Sequence, residues 1–133
     1  MVKRIFNQIY QLEKYFLPAG RILIGVCFLV MGVQQLIALE AVTGYVASAG
    51  LPIPGTMAVL AGLFEVLAGS ALISDFYTKR AATLLAGFVI LVTIIFHNPS
   101  YWAMDPTGQI MVLKNAAILG GLLFVIAGTK EQS

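Results

Sequence analysis

Four long apolar runs divide the chain, at Leu17–Leu39, Thr56–Phe76, Ala81–His97 and Gln109–Gly128. A helix needs about 20 apolar residues to cross a hydrocarbon core of about 30 Å. Each run therefore predicts one membrane-spanning helix, the third being the shortest and crossing with little tilt. Turn-forming and polar residues punctuate the runs: Gly50-Leu-Pro-Ile-Pro-Gly55, Asp75-Phe-Tyr-Thr-Lys-Arg80, Asn98-Pro-Ser100 and Asp105-Pro-Thr-Gly108. The prolines of the first predict a rigid turn, and segments 40–55 and 98–108 are read as loops. The pattern predicts an all-α integral membrane protein, a four-transmembrane-helix bundle in a single domain over residues 1–133. No repeat or low-complexity segment interrupts it.

Ahead of the first run, Ile5, Ile9, Leu12 and Phe16 fall on one helical stripe, while Lys3, Arg4, Asn7, Gln8, Gln11 and Lys14 lie largely elsewhere. That is the pattern of a short amphipathic helix in the membrane interface. It is not the apolar core of a signal peptide, and the run after it is long enough to span.

Composition narrows the class further. Apolar residues make up 59% of the 133 and charged residues 11%, against roughly a quarter charged in soluble domains. A soluble globular domain is excluded. The single cysteine, Cys27, rules out an intrachain disulfide, a Cys-x-x-Cys dithiol and a multi-cysteine metal site. It reads as a buried small hydrophobe. A net charge of +2 is too small to suggest a nucleic-acid partner. The placement of charge matters more. Lys3, Arg4 and Lys14 precede the first span, Lys79 and Arg80 join the second to the third, and Lys130 follows the fourth. The 40–55 and 98–108 segments hold no Lys or Arg. Positive residues mark the cytoplasmic side, so both termini are expected there.

Each span carries an ionisable residue: Arg21, Glu65, His97 and Lys114. Such groups are costly in hydrocarbon and commonly mark function. Residues three and four apart share a helix face. Arg21 thus shares a face with Gly25, Phe28, Gly32 and Gln35, and Glu65 with Ala58, Ala61, Gly62, Ala68 and Gly69. His97 aligns with Thr93, Ile90, Ala86 and Thr83, and Lys114 with Ile118, Gly121, Val125 and Gly128. Small residues let membrane helices approach closely, so a bundle with a polar interior accounts for all four faces. At 1.5 Å per residue Glu65 lies about 14 Å from either end of its span, Lys114 about 8 Å below the outer surface and Arg21 about 6 Å above the inner one. The outer half is expected to gather Gln35, Glu65, His97, Asn98, Lys114 and Asn115, under a lid of Tyr101 and Trp102. Two readings stay open: an internal site, or a plain pairing of Glu65 with Lys114 or Arg21. Tyr101 and Trp102 also suit interface anchors.

With His97 neutral, Arg21, Glu65 and Lys114 sum to a single positive charge. This favours an anion, or a neutral molecule whose reaction develops negative charge. A quinone head group fits in polarity and in access from lipid, and a carboxyl with a histidine suits proton relay. The sequence has no cysteine cluster, no paired histidines for haem and no Gly-x-Gly-x-x-Gly loop. One histidine makes no metal site.

The ordered motifs resemble the DoxX family (DoxX/DoxD-like) of small bacterial membrane proteins. They are Arg21-Ile-Leu-Ile-Gly-Val-Cys-Phe28 with Gly32, Gly50-Leu-Pro-Ile-Pro54, Leu63-Phe-Glu65 with Gly69, Lys79-Arg80-Ala81-Ala82, His97-Asn98 and Lys114-Asn115. Pro99 and Ser100 intervene before the aromatic pair, where the family suggests an earlier aromatic. The resemblance implies a four-helix protein of the bacterial cytoplasmic membrane, and some family members look like membrane subunits attached to redox enzymes. It implies functional roles for Arg21, Glu65, His97 and Lys114. The expectation is an accessory subunit of an oxidoreductase rather than a stand-alone enzyme, contacting a quinone, with the bilayer, a membrane or redox protein, or a second copy as partners. A membrane scaffold and a small lipid or solute transporter are the rival readings.

Overall fold

The computed structural model describes residues 1–96 and 106–131. They form helices α1 Val2–Tyr10, α2 Phe16–Ile37, α3 Leu39–Ser48, α4 Pro54–Ser74, α5 Thr78–Phe96 and α6 Pro106–Gly128, with one 3₁₀ turn at Glu13–Tyr15. There is no strand among the described residues. Four helices are long and apolar enough to cross a membrane: Glu13–Ile37, Pro54–Ser74, Thr78–Phe96 and Pro106–Gly128. The spans match the four apolar runs, each beginning two to four residues earlier.

Helices α2 and α4 form the closest pair, and glycine explains why. A Cβ on Gly25 would lie 2.7 Å from the Gly69 carbonyl oxygen, and one on Gly32 would lie 2.7 Å from that of Gly62. Gly25 and Gly32 are seven residues apart, as are Gly62 and Gly69, so two antiparallel helices meet glycine to glycine twice. In lipid, where burying apolar area gives little drive, close backbone approach of this kind supplies the association energy.

The core lies at one end of the bundle. Leu72, Leu85, Ala82 and Leu122 are fully buried there, with Phe28, Val89 and Val125 nearly so. Helix α6 joins α2 through Gly121, which faces Ile24, and Gly128, which faces Leu17. The short link between α4 and α5 turns at Asp75 and Tyr77, both in left-handed backbone conformations. Asp75 also accepts a 2.5 Å hydrogen bond from the Thr78 hydroxyl at the start of α5.

Two expectations are corrected. The 40–55 segment is not a loop throughout, because α3 occupies Leu39–Ser48. Leu39, Val42 and Val46 recur at helical spacing and give this segment a face to pack on α4. At 10 residues α3 is too short to span. It ends at Gly50, whose φ of 78° stops the helix, and α4 opens on Pro54 in its first turn. Cys27 is exposed rather than buried. It sits on the outward side of α2, away from the Gly25–Gly32 seam.

Helix α1 lies outside the bundle with no buried residue. Its apolar side chains Ile5, Phe6 and Ile9 are all exposed. An amphipathic helix with no protein surface to cover its apolar side belongs at a membrane interface.

Candidate functional site

The polar residues of α2 act on the backbone of α4 at the two ends of the glycine seam. Arg21 donates from Nη1 to the carbonyl oxygens of Leu72 and, at 3.3 Å, Ile73. These belong to the last turn of α4, where carbonyls lack helical partners and the helix dipole favours a cation. Asp75, at 3.9 Å from the same nitrogen, completes the cluster. At the opposite end Gln35 donates from Nε2 to the Ala58 carbonyl at 2.9 Å.

Glu65 lies between these ends, 7% exposed. The α2–α4 seam sets its position, for a Cβ on Gly32 would lie 2.9 Å from Glu65 Cβ. Its Oε2 is fully enclosed and has no hydrogen-bond partner among the described residues. A buried polar atom in that state is rare and asks for an explanation.

A cavity of about 210 Å³ opens beside Glu65. Its polar lining comes from Glu65, Gln35 and Tyr45, and its walls are apolar side chains of α3, α4 and α5 such as Val46, Met57, Phe88 and Val92. Tyr45 of α3 stacks on Phe96 of α5 at a centroid distance of 4.9 Å and closes one side of it. Leu91, on the lipid-facing side of α5, is another lining residue and is 56% exposed. The interior of the core half is packed with side chains, and the Gln35 half holds this cavity.

The sequence-derived site residues thus separate. Gln35 and Glu65 share the cavity. Arg21 is about 10 Å further along the bundle, judged by the seven residues from Glu65 to Leu72, and is occupied by the end of α4. Asn115 donates from Nδ2 to the Thr93 hydroxyl at 2.9 Å, and that hydroxyl donates to the Val89 carbonyl, joining α6 to α5. Lys114 is exposed, not interior, and does not line the Glu65 cavity. It shares the stripe of Ile118, Gly121 and Val125, but the glycine contacts of α6 with α2 lie two or more turns away, at Gly121 and Gly128. No Glu65–Lys114 ion pair forms among the described residues. His97, Asn98, Tyr101 and Trp102 lie outside the described residues, so the expected lid and the histidine's place in the cluster do too. No cluster of three potential metal ligands occurs among the described residues. Tyr45 is not among the sequence-derived site residues, because the charge and prolines of segment 40–55 predict a loop. The helical spacing of Leu39, Val42 and Val46 was the available signal.

This architecture defines a small polytopic protein of four spans, with a glycine-packed helix pair and a carboxyl at mid-depth. The DoxX family pattern matches residues 16–98. The chain is 31% identical over 114 residues to the inner membrane protein YphA of Escherichia coli strain K12, covering 82% of this chain and 80% of that protein. It is 32% identical over 124 residues to the inner membrane protein YqjF of the same strain, covering 92% of each. No solved structure matches. The chain belongs to the DoxX family and is a multi-pass inner membrane protein.

Proposed function

We propose that the protein is a redox-associated membrane subunit that holds a quinone head group in the Gln35–Glu65 cavity. The observation that carries this reading is Glu65, which lines a largely apolar cavity and whose Oε2 has no hydrogen-bond partner among the described residues. A ligand oxygen there would satisfy it. The cavity volume lies below the roughly 300–1,000 Å³ of sites that enclose a whole drug-sized ligand. It suits one ring, with an isoprenoid tail left in lipid past Leu91.

When bound, a quinone supplies two-electron, two-proton chemistry, with electrons delivered by a partner oxidoreductase. The protein's own share is placement and proton handling. Glu65 offers a carboxyl proton to a ring oxygen, Gln35 lies at the other polar wall, and the apolar walls exclude water. Lys114, which does not line the cavity, and His97 are proposed to serve proton supply. Both termini are proposed to be cytoplasmic, which puts the Gln35 end on the outer side.

The test is mass spectrometry of the protein purified gently from its own membrane, scoring lipids and proteins together. A stoichiometric quinone lost in Glu65→Gln is the expected outcome. A stoichiometric protein partner without quinone, unchanged in Glu65→Gln, would replace this reading with a scaffold.

A further inference from the structure

A second concavity lies at the other end of the molecule and has a different chemistry. It is an open groove of about 480 Å³ between α4 and α5, walled by Phe64, Leu67, Ala68 and Leu84, and headed by Tyr77 and Arg80. Leu67 is 70% exposed and Leu84 61% exposed, so the groove faces outward. From Ser74 at the end of α4 up to Phe64 is ten residues, or about 15 Å of helix. That is half of a hydrocarbon core of about 30 Å, the depth of one leaflet.

The head of the groove is positively charged. Arg80 projects beside the Tyr77 ring, 5.5 Å from its centroid. Its Nη2 lies 3.4 Å from a Glu131 carboxylate oxygen, with both side chains well exposed at 59% and 62%. Lys79 and Arg80, with Glu131, also frame a shallow concavity around the same end of α5, and Lys130 follows in the chain. The rim therefore keeps a net positive charge after Glu131 is counted. Loosely held at the protein surface, the Arg80–Glu131 pair is worth little by itself and yields readily to a better anion.

A guanidinium above an apolar trough one leaflet deep matches one occupant, an anionic phospholipid. Its phosphate would take the bidentate donors of Arg80 and one acyl chain would lie along Leu84, Leu67 and Phe64. We infer that the α4–α5 groove is a binding site for an anionic phospholipid, with Arg80 as its head-group ligand and Glu131 as the internal competitor. Basic pockets between membrane helices on the cytoplasmic side commonly hold such head groups.

The experiment is native mass spectrometry of the full chain released from nanodiscs of equimolar phosphatidylglycerol and phosphatidylcholine. The wild type is expected to retain phosphatidylglycerol in preference. Arg80→Gln should reduce that preference roughly five-fold, the share of one basic residue at a membrane surface. Glu131→Gln should increase it, a gain that misfolding cannot mimic. Leu84→Trp, which fills the trough, should lower retention of both lipids. A preference unchanged in Arg80→Gln, or retention unchanged in Leu84→Trp, would overturn the assignment.

Discussion

Gly25 and Gly69 bring α2 and α4 into backbone contact, each leaving only 2.7 Å between its would-be Cβ and the other's carbonyl oxygen. Neither neighbour is a side chain that can swing away. Gly25→Ala or Gly69→Ala is therefore expected to force the helices apart and cost about 1–3 kcal/mol or more. Gly87, with nothing within 4 Å of its would-be Cβ, is the matched control. Gly87→Ala should leave stability within about 0.5 kcal/mol or raise it through helix propensity. Thermal unfolding in mild detergent checks both, and equal behaviour of Gly25→Ala and Gly87→Ala would show that the seam does not hold the bundle.

Arg21 makes a second, independent bond between the same helices. It satisfies the otherwise partnerless carbonyls of Leu72 and Ile73 in the last turn of α4. Arg21→Ala is expected to cost about 1.5–3 kcal/mol, the range for hydrogen bonds to a charged group. Arg21→Lys should recover part of it, since an ammonium lacks the planar fork that reaches two acceptors. The loss should be local first. Amide exchange at Asp75–Thr78 should accelerate before global unfolding, and uniform acceleration along α4 would contradict a capping role.

Much of this arrangement was legible in the sequence because membrane helices obey few rules. Arg21, Gly25, Phe28, Gly32 and Gln35 share a face by spacing alone, and all of them turn inward in the structure. Glu65 with Gly62 and Gly69 reads equally well. Periodicity gives the face of a helix but not where along its length a neighbour covers it. That is why Lys114, on the stripe of Ile118 and Gly121, ends exposed. Segment 40–55 was misread for another reason. Its charge and its two prolines point to a loop, whereas the Leu39–Val42–Val46 spacing makes α3. The pairing of buried charges was likewise beyond reach, because Arg21 chose backbone carbonyls and no sequence rule pairs a side chain with a distant carbonyl.

The charge distribution predicts an orientation that labelling tests. In a Cys27→Ser background, Ser48→Cys at the end of α3 should react with an impermeant maleimide in spheroplasts. Gln8→Cys in α1 and Thr129→Cys after α6 should react only after lysis. These positions sample opposite ends of the bundle, with the basic residues at the protected end. Labelling of Gln8→Cys in intact spheroplasts would invert the topology and put the Gln35–Glu65 cavity in the cytoplasmic half.

Glu65 poses a choice between stability and function. An enclosed carboxyl oxygen without a partner costs about 1–3 kcal/mol relative to an apolar group of similar shape. Glu65→Leu is therefore expected to stabilise the bundle while abolishing labelling of the cavity by a photoreactive quinone. Glu65→Gln keeps the shape, should change stability little, and should still reduce labelling. Sites that break local rules in this way are retained where a function compensates for the lost stability. The competing explanation is a structural ion pair with Lys114, and a double-mutant cycle separates the two. Without direct contact, the stability changes of Glu65→Ala and Lys114→Ala should add within about 0.5 kcal/mol. A coupling energy well above that would put the ammonium against the carboxyl and turn Glu65 from a ligand group into a strut. Additive changes together with lost labelling in Glu65→Leu would leave the carboxyl without an ammonium partner, as the proposed quinone site requires.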